Sequence, residues 1–264
     1  MSFLYLEEFD ATIRWVDIGS GAPILFLPGL SMPVAAGFAA VAADPALQGR
    51  RKILLDYLGS GQSDHPTGFD YALESHVKTI FRVLDHLNIP SVDLVGHSMG
   101  GTVGIFLALD QPDRVRSLLV GEGNVDPGGG VMSLRVSQDG QDAFLDGGHA
   151  ALLDALQAKA RQGAGGADRL FAGWQHADPR GIYGNAKALV DLPEDTFSRF
   201  AALPMPRTFV YGAHNLTGAF TPDVPDPDRL KAHGITPLTV PDAGHAMMLD
   251  NHAGFMKAVI TSLG

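Results

Sequence analysis

Short runs rich in Val, Ile and Leu alternate along this chain with longer stretches whose apolar residues recur three and four apart. The first kind suits strands buried on both faces of a parallel sheet, and the second suits the helices that cross between them. Segments near Leu4–Glu7 and Ile13–Ile18 mix polar with apolar positions and predict an antiparallel edge. Pro23–Pro28 and Lys52–Asp56 are of the fully buried strand type, followed after Asp56 by a turn-rich loop, Leu58–Asp64. Val77, Ile80, Phe81, Leu84 and Leu87 share one face of a helix from about Ala72 to Leu87, which Pro90 ends. Strands are predicted at Ser91–Val95, Val115–Gly121, Thr208–Tyr211 and Thr236–Val240. A last helix, about His252 to Leu263, should turn Phe255, Val259, Ile260 and Leu263 inward.

The strand rhythm lapses between Gly121 and Arg207. That segment is too long for an ordinary loop, and Leu152, Leu153, Leu156, Leu170, Phe171 and Trp174 all call for burial. It is expected to be an inserted helical cap over residues 123–206, with glycine runs such as Gly163–Gly166 as joints. Residues 1–122 and 207–264 then form the core.

Composition narrows the partners. With 19 Lys+Arg against 29 Asp+Glu the formal net charge is −10, and no basic cluster exists to hold a nucleic acid. Cysteine is absent, which excludes disulfides and thiolate chemistry. No His-Glu-x-x-His or tight His/Asp cluster suggests a metal, and no glycine fingerprint suggests a nucleotide, so no cofactor is expected. The acidic start carries no secretory signal and no membrane span is visible, so a cytoplasmic protein is expected, with a homodimer left open.

The strongest chemical signal is Gly96-His97-Ser98-Met99-Gly100-Gly101, between the apolar run Ser91–Val95 and a helical stretch beginning at Thr102. Gly-x-Ser-x-Gly between strand and helix is a nucleophile elbow: a tight, strained turn that projects the serine hydroxyl from the sheet edge. A serine needs a base. Of ten histidines, His245 is the one placed just after the last strand, behind Asp242-Ala243-Gly244. Loops that follow parallel strands emerge on one edge, so His245 and Ser98 can converge there. His97 is assigned to packing, pointing away from the serine.

Taken with Leu27-Pro28-Gly29-Leu30, Asp56–Asp64 and Gly244-His245, the elbow makes the chain resemble a capped, single-domain α/β-hydrolase of the esterase or lactonase kind, over nearly its whole length. The resemblance implies an α/β fold with a mostly parallel eight-stranded sheet flanked by helices. It also implies oxyanion donors at the backbone N–H groups of Leu30 and Met99, whose side chains would line the pocket with Trp174. In most of the family the acid follows strand seven, yet that position holds Asn215. A minority carries it after strand six, where Glu122 stands, and a carboxylate at the end of a buried strand needs a partner. Glu122 is therefore the expected acid, with Asp126 as the alternative.

The resulting expectation is a serine hydrolase cleaving a medium-sized apolar carboxylic ester or lactone through an acyl-enzyme on Ser98, His245 and Glu122. A C–C bond hydrolase or a cofactor-free perhydrolase is the alternative within the fold. A non-catalytic ligand-binding receptor is the alternative from another class.

Overall fold

A computed structural model describes residues 1–163, 165–217 and 224–264. Eight strands form one sheet: β1 (Ser2–Leu6), β2 (Ala11–Ile18), β3 (Pro23–Leu27), β4 (Arg51–Asp56), β5 (Val92–His97), β6 (Val115–Gly121), β7 (Arg207–Gly212) and β8 (Thr236–Val240). Their order is β1-β2-β4-β3-β5-β6-β7-β8. β2 pairs antiparallel with β1 and β4, and every later pairing is parallel.

Helices α1 (Val34–Ala43), α2 (Leu73–His86) and α3 (Met99–Asp110) follow β3, β4 and β5. Among the described residues, six more lie between β6 and β7: α4 (Val131–Ser137), α5 (Gln141–Ala143), α6 (His149–Arg161), α7 (Ala167–Trp174), α8 (Pro179–Val190) and α9 (Thr196–Ala201). α10 (Pro227–Ala232), α11 (Met247–Asp250) and α12 (His252–Leu263) complete the described chain.

The period of two along each strand divides the core between the two sheet faces. Ile24, Phe26, Leu54, Val95 and Leu119 pack with Phe38 of α1 and Phe255 and Val259 of α12. Their neighbours Leu25, Leu27, Leu55, Leu94 and Leu118 pack on the other face with Ile80 and Leu84 of α2 and Val103 of α3. Trp174, Ile182, Ala186, Leu189 and Phe200 of the inserted helices belong to that second cluster. The insertion is thus packed helix rather than loop. Of its glycine joint, Ala164 lies outside the described residues.

The predicted bounds of β8 and α12 are met. On α12, however, Ile260 is exposed, while Met256, Ala258 and Ser262 are buried with Phe255 and Val259. The inward arc is centred on Phe255 and Val259, and Ile260 falls just past its edge. The small residues Ala258 and Ser262 let the helix lie close to the sheet instead.

This strand order has one consequence for chemistry. The chain leaves β3 toward β4 on one side and returns with β5 on the other, so the loops after β3 and β5 diverge at the switch point where α/β sheets open a crevice. Leu30 and Ser98 are in those two loops.

Candidate active site

Ser98 sits between β5 and α3 at φ 54° and ψ −125°, a conformation that costs a non-glycine residue about 1–3 kcal/mol. Its own backbone offsets that strain. The Ser98 N–H donates to the Gly121 carbonyl at 2.7 Å, and its carbonyl accepts from Gly101 N–H at 2.8 Å. A side chain cannot fit at Gly96 or Gly100: a Cβ would strike the Gly100 backbone in the first case and the backbone of Leu27 and Pro28 in the second. The elbow's two outer glycines are therefore demanded by close approach.

β6 ends beside it, His97 opposite Gly121 in the ladder. The next residue, Glu122, is itself left-handed, with φ 47°, and its N–H donates to the Val210 carbonyl at 3.1 Å. That kink buries the carboxylate. Oε1 accepts from the Gly212 N–H at 2.8 Å, while Oε2 accepts from Asn215 Nδ2 at 2.6 Å and pairs with His245 Nδ1 at 2.7 Å. Each oxygen is satisfied, and the buried charge faces three donors. Asp126 is engaged elsewhere, in a two-pronged ion pair with Arg229 at 2.5 and 2.9 Å.

His245 is half-exposed. Glu122 holds its Nδ1, which leaves Nε2 as the nitrogen free to face a partner. Among the described residues the Ser98 hydroxyl makes no hydrogen bond to it. Such contacts are often loose before substrate arrives. The two are linked through His97, whose ring packs against that of His245 at a 50° tilt with centroids 4.7 Å apart and whose Nε2 donates to the His245 carbonyl at 2.7 Å. Burial, aided by the neighbouring His245, pushes His97 down to about 3. It is a neutral brace, so the packing role expected of it is met by contact with the histidine loop. The clue in sequence was its place at the end of β5, beside the strand that delivers Glu122.

Asp250 braces the same loop, accepting the Gly244 N–H at 3.0 Å. Across the switch point, Gly29 to Met32 form a turn closed by Met32 N–H to Gly29 carbonyl at 3.0 Å. Leu30 and Met99 are buried, and among the described residues neither backbone N–H has an acceptor. Trp174 is fully buried, and its indole N–H donates to the Leu30 carbonyl at 2.8 Å. Asp56 braces the floor by accepting the N–H groups of Val34 at 2.7 Å and Gln62 at 2.9 Å. Among the described residues, no group of three His, Asp or Glu is arranged to hold a metal ion, and no helix is long and apolar enough to cross a membrane.

Residues 22–129 match the sequence model of the α/β hydrolase fold. Haloalkane dehalogenase 2 of Mycobacterium bovis is 34% identical over 118 residues, 44% of this chain and 40% of that protein. The 2-hydroxymuconate semialdehyde hydrolase of a Pseudomonas strain is 38% identical over 105 residues, 39% of this chain and 37% of that protein. The chain thus matches about two fifths of the length of these relatives. Among solved structures, the enol-lactonase of Burkholderia xenovorans superposes with a TM-score of 0.79 at 21% identity, covering 99% of both chains. By sequence over residues 22–129 the chain is similar to α/β hydrolases, and by architecture over its whole length it has the α/β-hydrolase fold.

Proposed function

We propose that the protein is a serine hydrolase that cleaves a medium-sized, fairly apolar carboxylic ester or lactone through an acyl-enzyme. The observation that carries the reading is the Glu122–His245 contact at 2.7 Å, made by a buried, fully satisfied carboxylate beside a serine held at a strained turn. A half-exposed imidazole needs no such carboxylate for packing.

In this mechanism Ser98 Oγ attacks the carbonyl carbon while His245 Nε2 takes its proton. Glu122 keeps the Nδ1 proton in place and stabilises the imidazolium that forms. The backbone N–H groups of Leu30 and Met99 hold the oxyanion. Collapse of the tetrahedral adduct breaks the C–O bond, and the imidazolium returns its proton to the departing alkoxide. Water then repeats the sequence on the acyl-serine. In a lactone the leaving oxygen stays tethered to the acyl group.

The inserted helices act as the cap. Their Leu, Phe and Trp content, with Leu30 and Met99, favours an apolar acyl group. The lactonase likeness supports this substrate class. The likeness to 2-hydroxymuconate semialdehyde hydrolase supports C–C bond hydrolysis as the second reading. Dehalogenation is disfavoured, because that chemistry uses a carboxylate nucleophile and position 98 is serine. The test is a panel of esters and lactones of graded acyl length, run on the wild type and on Ser98→Ala. The reading predicts turnover that vanishes in the variant while the fold persists; equal hydrolysis by both proteins would end it.

A further inference from the structure

The loop that presents Leu30 cannot hold its shape unaided. Ser31 is fully buried at φ 50°, and Leu30 is not in the left-handed region. With the Met32 to Gly29 bond, this is a type II turn, a geometry that ordinarily calls on glycine at the third position. Rotation of the Leu30–Ser31 peptide would relax Ser31 into an ordinary type I turn and swing the Leu30 carbonyl to the opposite side. Leu30 would then lose the bond that anchors it through its carbonyl.

Two inserted helices oppose that rotation. From the end of α7, the Trp174 indole N–H grips the Leu30 carbonyl at 2.8 Å. Its neighbour Gly173 lies so close to the Met32 side chain that a Cβ would approach the sulfur to 2.6 Å. From α8, Asn185 Nδ2 donates to Ser31 Oγ at 3.1 Å. The Asn185 amide is oriented in turn by His76 Nε2, which donates to Oδ1 at 2.8 Å. Trp174 and Asn185 are both buried, so these bonds are made away from competing water.

We propose that Trp174 is a positioning residue for the oxyanion site: its indole N–H pins the Leu30 carbonyl and so anchors the residue whose own N–H, on the preceding peptide, is the oxyanion donor. The inference rests on the hydrolase reading above and gives the insertion a task beyond enclosing substrate. A donor aimed at the oxyanion matters only once charge develops there, so loosening it lowers kcat and leaves ground-state binding alone.

The test compares the wild type with Trp174→Phe, which keeps an aromatic ring and removes the N–H. A second protein carries benzothienylalanine, in which sulfur replaces the indole N–H at equal size. It is made in a Trp15→Phe background, since Trp15 is the only other tryptophan and its N–H has no partner among the described residues. This second protein decides the matter if the phenylalanine variant fails to fold. Each is assayed for kcat and KM on the best ester of the panel and for inhibition by an alkylboronic acid, whose tetrahedral adduct places an oxygen in the oxyanion position. The expected result is a parallel loss of about 10- to 100-fold in kcat and boronate affinity, with KM within about threefold. A raised KM with unchanged kcat would make Trp174 a pocket wall only and overturn the proposal, as would wild-type values throughout. A wild type that neither turns over any ester nor binds boronate would overturn the hydrolase reading itself, a result separable from the others because it needs no variant.

Discussion

Replacing Glu122 by Gln changes one oxygen to an NH2 group and leaves the volume of the site unaltered. Three donors meet the native carboxylate: the Gly212 N–H at 2.8 Å, Asn215 Nδ2 at 2.6 Å and His245 Nδ1 at 2.7 Å. The backbone donor cannot turn away, so the glutamine oxygen must take the position facing Gly212. Its NH2 then points at Asn215 and His245. Asn215 can flip its amide to present oxygen. His245 can respond only by giving up the proton on Nδ1, which moves its proton to Nε2 and leaves no lone pair for the serine. The negative charge that would stabilise the imidazolium is lost as well. The expected fall in kcat/KM is about 10²–10⁴-fold, or about 3–5 kcal/mol of barrier. Hydrolysis of a p-nitrophenyl ester measures it, with thermal unfolding as the control that the variant is folded. A folded Glu122→Gln protein retaining activity within about threefold of the wild type would refute the assignment of the acid.

Asn215→Ala removes one of the three donors and should cost about 3- to 10-fold in kcat, less than Glu122→Gln, since the other two remain; the same ester assay ranks the pair. Gly100→Ala drives a Cβ into the backbone of Leu27 and Pro28 and should destabilise the fold by about 3 kcal/mol or more, read by urea denaturation. Burial pushes His76 down to about 4. The unfolded chain therefore takes up this proton first as pH falls, so the contribution is full above about pH 6.5 and is lost on the way to pH 4, by about 2 kcal/mol at pH 5. Melting curves between pH 7 and 4 should show the decline, and His76→Gln should flatten it.

Much of the architecture was legible because it depends on one-dimensional pattern. A buried strand such as Pro23–Leu27 announces itself as an apolar run, and the elbow's glycines fall where backbones nearly touch. The same logic extends to Glu122, since a carboxylate ending a buried strand must find a partner. What escaped depends on contacts across the sheet edge. Asn215 stands where an acid is expected but serves as a donor to Glu122. His97 braces the His245 carbonyl, and Asp250 holds the Gly244 N–H. In sequence Trp174 offers only an apolar ring, whereas in the fold its N–H donates to the Leu30 carbonyl. Each of these pairs residues far apart in sequence through a single polar atom, and hydrophobic periodicity carries no trace of such a bond. Ile260 was misplaced for a simpler reason: one step of about 100° separates a buried from an exposed helix position.

The proposed chemistry requires that Ser98 be a nucleophile activated by the imidazole of His245. Intact-protein mass spectrometry after brief treatment with a fluorophosphonate, followed by peptide mapping, tests it without knowledge of the substrate. A single rapid adduct is expected on Ser98, slowed by at least about 100-fold in His245→Ala. A folded wild type that stays unlabelled, or one labelled equally fast without His245, would contradict it.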